Sequence, residues 1–533
     1  MWWRSLRETY LTADTRSLGV FRIAFGLVLF LDLLRRWSEV SFWFVNSGIL
    51  PNHTLLWRPP AGHQFSLFFT VSSLTEAHVA MALCAIVYLM FIVGLRTRWV
   101  QLLVILVRVS LNSRLSVLEN GGDMVMDLLC LFTAALPLGA RFSLDAVARS
   151  LRGEEGQAEE EAARRPAVSI AMLAIILQFS AVYFFNASSK VGTAWRDGSA
   201  VHFALHQDKL VTGIGVWMRE NLSASIIRAL THSTLFVEWM AFCLIITPIY
   251  VKHARALVIC LLPPLHLGFA LGLNLGGFTP AMLSFYPLLL VSGHWDWLAL
   301  RLGDRVRPRV AKIEDAARRL LTWSKLRFRA PPPPSELRRR LVEGAVLILM
   351  IAITTEALND NASVPKFMRV PQPAWCKAVI EYPRILQGWR MFAPEPPRND
   401  SMIVVEAQTA DNRQVDPYNE VASAHHYPTG KVVPPHMDQS QFFVMYSDRI
   451  PNVGYAAYRQ AFQEWLLAYP ERTGRPQDCL LKYDVYYVTD QSPPLGSKEP
   501  TPLDRQRFMN YSAPWDSPCR TTAKQFQKKA PQH

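Results

Sequence analysis

The chain contains 533 residues, of which half are apolar and only 19% are charged. A soluble protein has about a quarter charged residues. Here the apolar residues are gathered in runs close to the ~20 residues that a helix needs to cross a bilayer. This composition excludes an ordinary soluble domain and predicts a multi-pass membrane protein.

The net charge of +13 does not indicate a nucleic-acid-binding protein, because most of it lies in one segment. Residues 299–340 hold 13 of the 56 lysines and arginines and only four acids, so they supply +9 of the +13. A basic segment between two membrane spans is typical of a cytoplasmic loop that faces anionic lipid. We therefore predict lipid, and no nucleic acid, as the partner of this segment.

Nine apolar segments are predicted to be transmembrane helices, so the predicted fold is an all-α polytopic membrane bundle. The third segment is the most polar, since it contains Arg108, Asn112 and Arg114. The eighth contains Pro280 and Pro287 and is expected to be broken, which membrane proteins tolerate when neighbouring helices satisfy the freed backbone. The predicted spans are residues 17–36, 77–95, 99–117, 123–140, 166–187, 233–251, 254–275, 278–298 and 341–359.

The distribution of basic residues predicts the orientation of the bundle. Five segments rich in Lys and Arg all fall on one side of a nine-span bundle, whereas the alternate loops are poorer in these residues for their length. The positive-inside rule then places residues 1–16 and the basic loop 299–340 in the cytoplasm. The chain after residue 359 is predicted to lie outside the cytoplasm.

Beyond the ninth span the pattern becomes that of a small extracytoplasmic α+β domain, predicted over residues 360–491. Ser401–Thr409 and Leu480–Val488 have the length, alternation and β-branched or aromatic content of strands. Between them, Ala456–Leu467 has helical spacing. Residues 492–533 are predicted to form a loose tail.

The seven cysteines contain no CxxC motif and no zinc-ligand spacing, so no structural metal is predicted. Four of them lie in apolar runs and are expected to be small core residues: Cys84, Cys130, Cys243 and Cys260. The other three follow the last span, where one pair could form a disulfide on an oxidising side and leave one thiol over: Cys376, Cys479 and Cys519.

Ionisable residues within membrane spans are costly, and they face a protein interior or a watery cavity. The first span contains Arg22 and Asp32, which are ten residues apart and cannot pair on adjacent turns. We expect Arg22 to be structural. Asn120 and Asp123 belong to the polar stretch 119–123, which is most simply a turn between two spans.

Lys190, at the end of the fifth span, is the clearest candidate for chemistry. Asn186 and Lys190 are spaced i, i+4 and therefore share one face of a helix. The simpler interpretation of Lys190 is a charge that marks the outer end of a helix. A lysine in a low-dielectric pocket, however, releases its proton more readily and can serve as a base. Both interpretations stay open.

Further polar residues follow along the chain. His202 and His206 are again spaced i, i+4, just beyond Trp195. They have the spacing of two zinc ligands, but no third ligand is evident in the sequence. Glu238 lies in the sixth span, and His266 lies in the seventh.

Several short segments, in order and at near-constant spacing, resemble the vitamin K-dependent gamma-carboxylase-like family, also called the horizontally transferred transmembrane (HTTM) domain family. The resemblance covers most of residues 17–490, with residues 17–359 as the HTTM-type membrane domain. The segments are Ser17–Gly26 (SLGVFRIAFG), Asn120, Phe142–Asp145 (FSLD), Tyr183–Lys190 (YFFNASSK) followed by Trp195, His266, and Gln387–Pro394 (QGWRMFAP).

The resemblance implies a specific chemistry. In that family, the lysine matched by Lys190 deprotonates a reduced vitamin K hydroquinone at the membrane, and oxygen, carbon dioxide and a glutamate side chain complete the reaction. It therefore implies a reduced quinone as cofactor, O2 and CO2 as co-substrates, an extracytoplasmic acid or peptide as acceptor, and Lys190 and His266 as catalytic residues. The residues expected to bind substrate are Asn120, Asp123, Asn186, Trp195 and His206.

The match is incomplete at one motif, where Gly121 and Gly122 stand in place of the second Asn and the His of an Asn-Asn-His sequence. Two classes of function stay open. One is a quinol-dependent carboxylase or oxygenase. The other is a non-catalytic membrane protein that binds lipid or quinone in the bundle and presents residues 360–490 to an extracytoplasmic partner. A transporter is less favoured, because the sequence has no internal repeat.

Overall fold

The computed structural model is mostly helical, with a small sheet in its C-terminal part. Among the described residues, six helices are long and apolar enough to cross a membrane, namely Thr15–Ser38, Leu74–Val93, Ile170–Ser189, Ala224–Ile246, Val251–Gly272 and Glu336–Asp360. The longer helices of residues 15–360 are α1 (Thr15–Ser38), α2 (Leu74–Val93), α3 (Thr97–Arg114), α4 (Gly121–Thr133), α5 (Ile170–Ser189), α6 (Ala224–Ile246), α7 (Val251–Gly272), α8 (Phe278–Phe285), α9 (Ser292–Trp323) and α10 (Glu336–Asp360). The structure describes residues 6–57, 62–152, 160–161, 163–323, 335–420, 440–497 and 503–529.

The three remaining predicted spans are helical but fall short of these limits, so nine spans are not confirmed. Helix α3 is the polar one that contains Arg108 and Arg114, and α4 has only 13 residues. Helix α8 passes into a 3-10 helix, Tyr286–Leu289, at Pro287, because proline cannot donate the hydrogen bond that an α-helix needs there.

Two predicted boundaries were wrong for identifiable reasons. Helix α6 begins at Ala224 rather than at residue 233, because the side chain of Ser223 accepts a hydrogen bond from Ile226 N and caps the helix there. The predicted eighth span, 278–298, ends at Leu289. The predicted basic loop 299–340 is instead largely helical, since α9 extends to Trp323; residues 324–334 lie outside the described part.

Short elements connect the spans. The strands β1 (Thr12–Ala13) and β2 (Ala167–Val168) pair antiparallel just before α1 and α5, so these two helices begin at the same end of the bundle. The short helices are Arg7–Leu11, Val40–Trp43, Asn52–Trp57, Leu67–Thr70, Leu144–Ser150, Thr193–Asp197, Ala200–Leu205 and Gly213–Asn221.

Buried charges in the bundle form one ionic network around Arg108. Its guanidinium contacts three aspartates, Asp32 at 2.9 Å, Asp123 at 3.3 Å and Asp127 at 2.9 Å. All four side chains are at most 3% exposed. Ions buried away from water need partners, because the desolvation of each one is costly. Arg108 therefore joins α1, α3 and α4.

Two further arginines of α1 complete this network. Arg36 contacts Asp32 at 2.7 Å and Asp123 at 2.5 Å, and Arg35 contacts Asp32 at 2.7 Å. The group then holds three arginines and three aspartates and is neutral as a whole. A neutral, hydrogen-bonded group is the form in which charges are tolerated inside a membrane protein.

Arg22 has a structural role, as expected, but its partners are backbone carbonyls. Its guanidinium donates to the oxygens of Leu138 at 2.9 Å and of Ile92 and Arg141 at 3.3 Å. It does not pair with Asp32, in agreement with their spacing. Arg22 therefore satisfies carbonyl groups near the ends of α2 and α4 that have no intrahelical partner.

The predicted α+β character of the C-terminal part is confirmed. A four-stranded antiparallel sheet has the order β4-β3-β5-β6, and its central strands align Val405 with Val485. The strands are β3 (Asn399–Thr409), β4 (Gln414–Val415), β5 (Leu480–Gln491) and β6 (Leu503–Ser512). The helices are α11 (Ala374–Glu381), α12 (Gln441–Arg449), α13 (Arg459–Leu467) and α14 (Pro518–Lys529), with short helices at Lys366–Met368, Val453–Tyr458, Tyr469–Thr473 and Pro476–Asp478.

The prediction of a loose tail over residues 492–533 was wrong, because this stretch contributes β6 and α14. The edge strand β6 is mostly exposed and lacks the alternation of a half-buried strand, which explains why its sequence gave no signal. A disulfide between Cys479 and Cys519 ties α14 to the start of β5. Cys376 is the thiol left over, and it is buried.

The expectation that the cysteines of the apolar runs are core residues holds for only two of them. Cys84 and Cys130 are buried, whereas Cys243 on α6 and Cys260 on α7 are exposed. An apolar run does not distinguish the two kinds of position. A membrane helix is apolar on the face that contacts lipid as well as on the face that contacts other helices.

The C-terminal part is joined to the bundle by polar and aromatic contacts. Arg384 donates to both carboxylate oxygens of Glu119, at 2.9 and 2.5 Å, and the pair is buried. Burial raises the pKa of Glu119, and the neighbouring Arg384 opposes that shift. The ring of Phe443 on α12 packs edge-on against Trp43, with 4.9 Å between ring centroids. The sheet domain is therefore docked on the end of the bundle that includes residues 39–43 and 119.

We expect Arg108→Gln to lower the unfolding temperature of the detergent-solubilised protein. The change leaves the aspartates of the network short of a counter-charge, and breaking a buried ion pair in this way costs about 3–5 kcal/mol. Thermal unfolding measured by intrinsic fluorescence tests this. Arg319→Gln, at an exposed position of α9, is the control and should change stability by less than about 0.5 kcal/mol. Equal unfolding temperatures for the two variants would contradict the structural role of the network.

Candidate functional site

Lys190 forms a buried ion pair with Glu238. Lys190 is the residue that caps the C-terminus of α5, and its ammonium donates to both carboxylate oxygens of Glu238 on α6, at 2.5 and 2.6 Å. Both side chains are only 3% exposed. Burial disfavours the charged ammonium, whereas the carboxylate favours it. Lys190 is thus neither a solvated helix-end charge nor an isolated base.

Asn186 and Trp195 complete the surroundings of this pair. Asn186 Nδ2 donates to Glu238 Oε1 at 2.8 Å, and Asn186 Oδ1 accepts from the backbone N of Met391 at 3.1 Å. The ring of Trp195 lies 4.6 Å from the Lys190 ammonium, a cation–π distance. Trp195 Nε1 in turn donates to the carbonyl of Phe392 at 2.8 Å. The segment that follows α10 therefore closes one side of the site.

The position of Trp195 is fixed by the short helix Thr193–Asp197. The Glu395 carboxylate accepts from the backbone N of Ala194 at 3.1 Å and from the hydroxyl of Thr193 at 3.0 Å. A carboxylate at the start of a helix satisfies amide groups that have no intrahelical partner. These contacts hold the indole over Lys190.

His266 belongs to a second buried polar cluster. Its Nε2 lies 2.8 Å from the hydroxyl of Tyr183, which lies 3.2 Å from the hydroxyl of Tyr286. The rings of Phe269 and Phe278 flank the imidazole, with centroids 5.9 and 5.7 Å away. His266 is 2% exposed, and in the described part of the chain its Nδ1 has no hydrogen-bond partner.

The two clusters lie side by side along α5. Tyr183, Asn186 and Lys190 have the spacing i, i+3, i+7 and share one face of this helix. The structure thus brings His266 into the neighbourhood of the Lys190–Glu238 pair through Tyr183.

Asn120 and Asp123 have structural contacts at the start of α4. Asn120 Oδ1 accepts from Gly122 N at 2.8 Å, and the Asp123 carboxylate accepts from Asn120 N at 3.2 Å, which together form a capping box. Asp123 also belongs to the ionic network of Arg108. These contacts occupy polar atoms that the resemblance assigns to substrate, so substrate binding by the two residues stays a prediction.

The two glycines of this motif lie where α4 meets α8. A Cβ atom at Gly122 would approach the backbone N of Phe278 to 2.5 Å and the carbonyl carbon of Gly277 to 2.7 Å, distances that no side chain allows. Gly121 has more room, with the Phe278 ring and the Met391 sulfur at 3.6 and 3.8 Å. A side chain at position 122 would therefore require α8 to move.

The rings of His202 and His206 contact each other at a tilt of 47°, with 4.0 Å between ring centroids. His206 Nδ1 bonds to the carbonyl of His202 at 2.8 Å, and His202 Nε2 bonds to the carbonyl of Pro493 at 2.7 Å. Burial lowers the pKa of His206 to about 4 and also lowers that of His202. Among the described residues there is no group of three or more His, Cys, Asp or Glu that could hold a metal ion.

The seven predicted site residues fall into three locations. Those that surround one buried centre are Lys190, Asn186 and Trp195, with His266 in the neighbouring cluster. Those engaged in contacts of their own are Asn120 and Asp123, which cap α4, and His206, whose ring contacts that of His202.

Three functional candidates were missed or left without a role in the sequence. Glu238 is the counter-charge of Lys190, and Tyr183 and Tyr286 link to His266. Glu238 is the only acid in α6, and an acid inside a membrane span requires a partner. That signal could have paired Glu238 with Lys190, but the two tyrosines gave no comparable signal.

Comparison of the chain with protein-family models, with curated proteins and with solved structures gave no match.

A double-mutant cycle on Lys190 and Glu238 should show strong coupling. Lys190→Met and Glu238→Gln each leave one ionisable group buried without its partner, and each should cost about 3–5 kcal/mol of stability. The double variant removes both charges and should be less destabilised than the sum of the two. Thermal unfolding of the three variants measures the coupling; additive effects would contradict the ion pair.

Proposed function

We propose that this protein is a membrane enzyme in which the Lys190–Glu238 pair accepts a proton from a small apolar molecule with an acidic hydroxyl group, of the hydroquinone type. The observation that carries the proposal is the buried, neutral pair at the end of an apolar bundle. A substrate hydroxyl that gives its proton to this pair becomes an anion, and the pair gains one positive charge. The total charge of the site is then unchanged.

The pair is suited to this step because its proton is shared. When the proton is on Glu238, the Lys190 amine has a free electron pair and can act as the base. Asn186 holds the carboxylate in place through its side-chain amide, and Trp195 stabilises the ammonium that forms. A positioned base of this kind contributes typically 10²–10⁴-fold to a rate.

His266 offers the second element that a hydroxylated ring requires. Its Nδ1 has no hydrogen-bond partner in the described part of the chain and is flanked by the rings of Phe269 and Phe278. A buried polar atom without a partner is costly unless a ligand satisfies it. A hydroquinone would offer both a hydroxyl group for this nitrogen and an apolar ring for its aromatic neighbours.

The full reaction, with O2 and CO2 as co-substrates and an extracytoplasmic acid or peptide as acceptor, is supported by the resemblance of Tyr183–Lys190, Trp195 and His266 to the gamma-carboxylase-like segments. In such a reaction the reduced quinone would supply the electrons that reduce O2. After oxidation it would also supply a base that is stronger than the lysine. The residues of this chain bind and orient the quinone and move its first proton.

A non-catalytic function is the second candidate, and one observation favours it. Lys190 is already neutralised by Glu238, as a purely structural lysine would be. The bundle would then bind lipid or quinone and present the docked sheet domain to an extracytoplasmic partner. In that case the function requires the opposite charges of Lys190 and Glu238, but it does not require the pair to exchange a proton.

Lys190→Ala and Lys190→Arg should both abolish the reaction, by about 100-fold or more if proton transfer limits the rate. Arginine keeps the charge but cannot release a proton at physiological pH. The measurement is quinol-dependent incorporation of labelled CO2, together with organic extraction of quinone from the purified full-length protein.

Lys366→Ala, at an exposed lysine beyond α10, is the matched control and should retain the activity of the native protein. Full activity of Lys190→Arg would exclude Lys190 as the base. Quinone in the extract without quinol-dependent CO2 incorporation would favour the non-catalytic candidate.

The proposed orientation places the N-terminus in the cytoplasm and the sheet domain outside, with nine helical segments crossing in alternate directions. It is supported by contacts between the helix ends. Ser169 N donates to Leu11 O at 2.9 Å, and Tyr10 bonds to the carbonyl of Ile246, so the N-terminus meets the start of α5 and the end of α6. The Cys479–Cys519 disulfide is consistent with an oxidising compartment for the sheet domain.

A reporter fused after Asn361 tests this topology. Alkaline phosphatase, which requires export from the cytoplasm, should be active there, and a fusion after Arg149 should be inactive. The reverse pattern would contradict both the orientation and the location of the sheet domain.

A further inference from the structure

Helix α9 carries an exposed apolar stripe. Leu302, Val306, Val310, Ile313 and Leu320 follow the spacing of one helix face. Their exposed fractions lie between 40% and 71%. Within this fully described helix only Gly303 and Leu321 are buried. The stripe is therefore left open by the described part of the chain.

Basic side chains border this stripe. Arg305, Arg309 and Lys312 are spaced i, i+4, i+7, so they lie along one edge of the helix, and all three are exposed. Between residues 301 and 323 the helix has seven lysines and arginines and three acids. The border next to the apolar stripe is therefore positively charged.

The start of α9 is fixed at an end of the bundle. Trp295 Nε1 donates to the hydroxyl of Ser17 at 2.8 Å, and His294 Nε2 contacts the carbonyl of Lys252 at 2.9 Å. Ser17 lies in the first turn of α1, and Lys252 lies in the first turn of α7. The helix thus leaves the bundle at the level where these spans begin, and it also packs on Leu144–Ser150.

We propose that α9 lies on the membrane surface, with its apolar stripe in the lipid and its basic border on the headgroups of anionic phospholipids. An amphipathic helix with Lys and Arg on its polar face is the form in which a segment lies in the membrane interface. Each basic residue close to an anionic surface strengthens the attraction by about fivefold. Anionic lipid is the partner that fits both position and charge, because the helix begins at the membrane boundary and its positive border complements an anionic surface.

The proposal is tested on the full-length protein in proteoliposomes, with an environment-sensitive fluorophore on a single cysteine. The label is placed at Ile313→Cys, on the stripe, or at Asp315→Cys, on the polar face, in a background where the exposed Cys243 and Cys260 are serine. The liposomes contain phosphatidylcholine alone or with phosphatidylglycerol, and a brominated phosphatidylcholine is the quencher.

The label on Ile313→Cys should be quenched by brominated lipid, more strongly when phosphatidylglycerol is present, and the label on Asp315→Cys should not. Replacing Arg305, Arg309 and Lys312 by glutamine should remove the effect of phosphatidylglycerol. Equal quenching at the two positions, or no dependence on anionic lipid, would overturn the proposal. It would also be overturned if Ile313→Cys cross-linked to a second copy and escaped quenching, because the stripe would then be a dimer contact.

Discussion

The cost of moving a charge out of water constrains this molecule more than any other single interaction. Arg108, Arg36 and Arg35 are neutralised by three aspartates within α1 and α4, and the bundle is therefore held together by ions as well as by apolar packing. The same rule governs Glu119, which is buried with Arg384 where the sheet domain meets the bundle. In the network of Arg108 and in the Glu119–Arg384 pair, a charge on one segment of the chain is neutralised by a distant segment.

The candidate site differs from these structural ion pairs in the residue type of its cation. In the network of Arg108 the cations are guanidinium groups, which stay protonated and can only be structural. In the pair of Lys190 and Glu238 the cation is an ammonium, which can give its proton to a neighbouring carboxylate. Tyr183, on the same face of α5, contacts His266 of α7 at 2.8 Å, and both side chains carry groups that can exchange protons. Under the proposed function, the residue type of the cation therefore separates an ion pair that can transfer a proton from one that cannot.

The sequence was a good guide to those features that depend on local pattern. Apolar runs located the helices, and alternation located β3 and β5, because periodicity reflects burial directly. The sequence was a poor guide to features that depend on contacts between distant segments of the chain. The exposed strand β6, for example, is held by its pairing with β5. The start of α6 is a local feature instead, because the cap of Ser223 precedes the apolar run that predicted this helix. At the site, Lys190 and Asn186 could be found from their spacing, whereas Glu238 lies 48 residues further along the chain and is joined to Lys190 by the fold alone.

The close approach of Gly122 to residues 277–278 also limits how this chain can change over evolutionary time. Because the backbone of Phe278 lies where a Cβ atom would stand, a histidine of the carboxylase type at position 122 is excluded until α8 has shifted. A shift of α8 would in turn disturb Phe278, which flanks His266. Any substitution of Gly122 is therefore expected to act on His266 as well, although the two residues belong to different helices of the bundle.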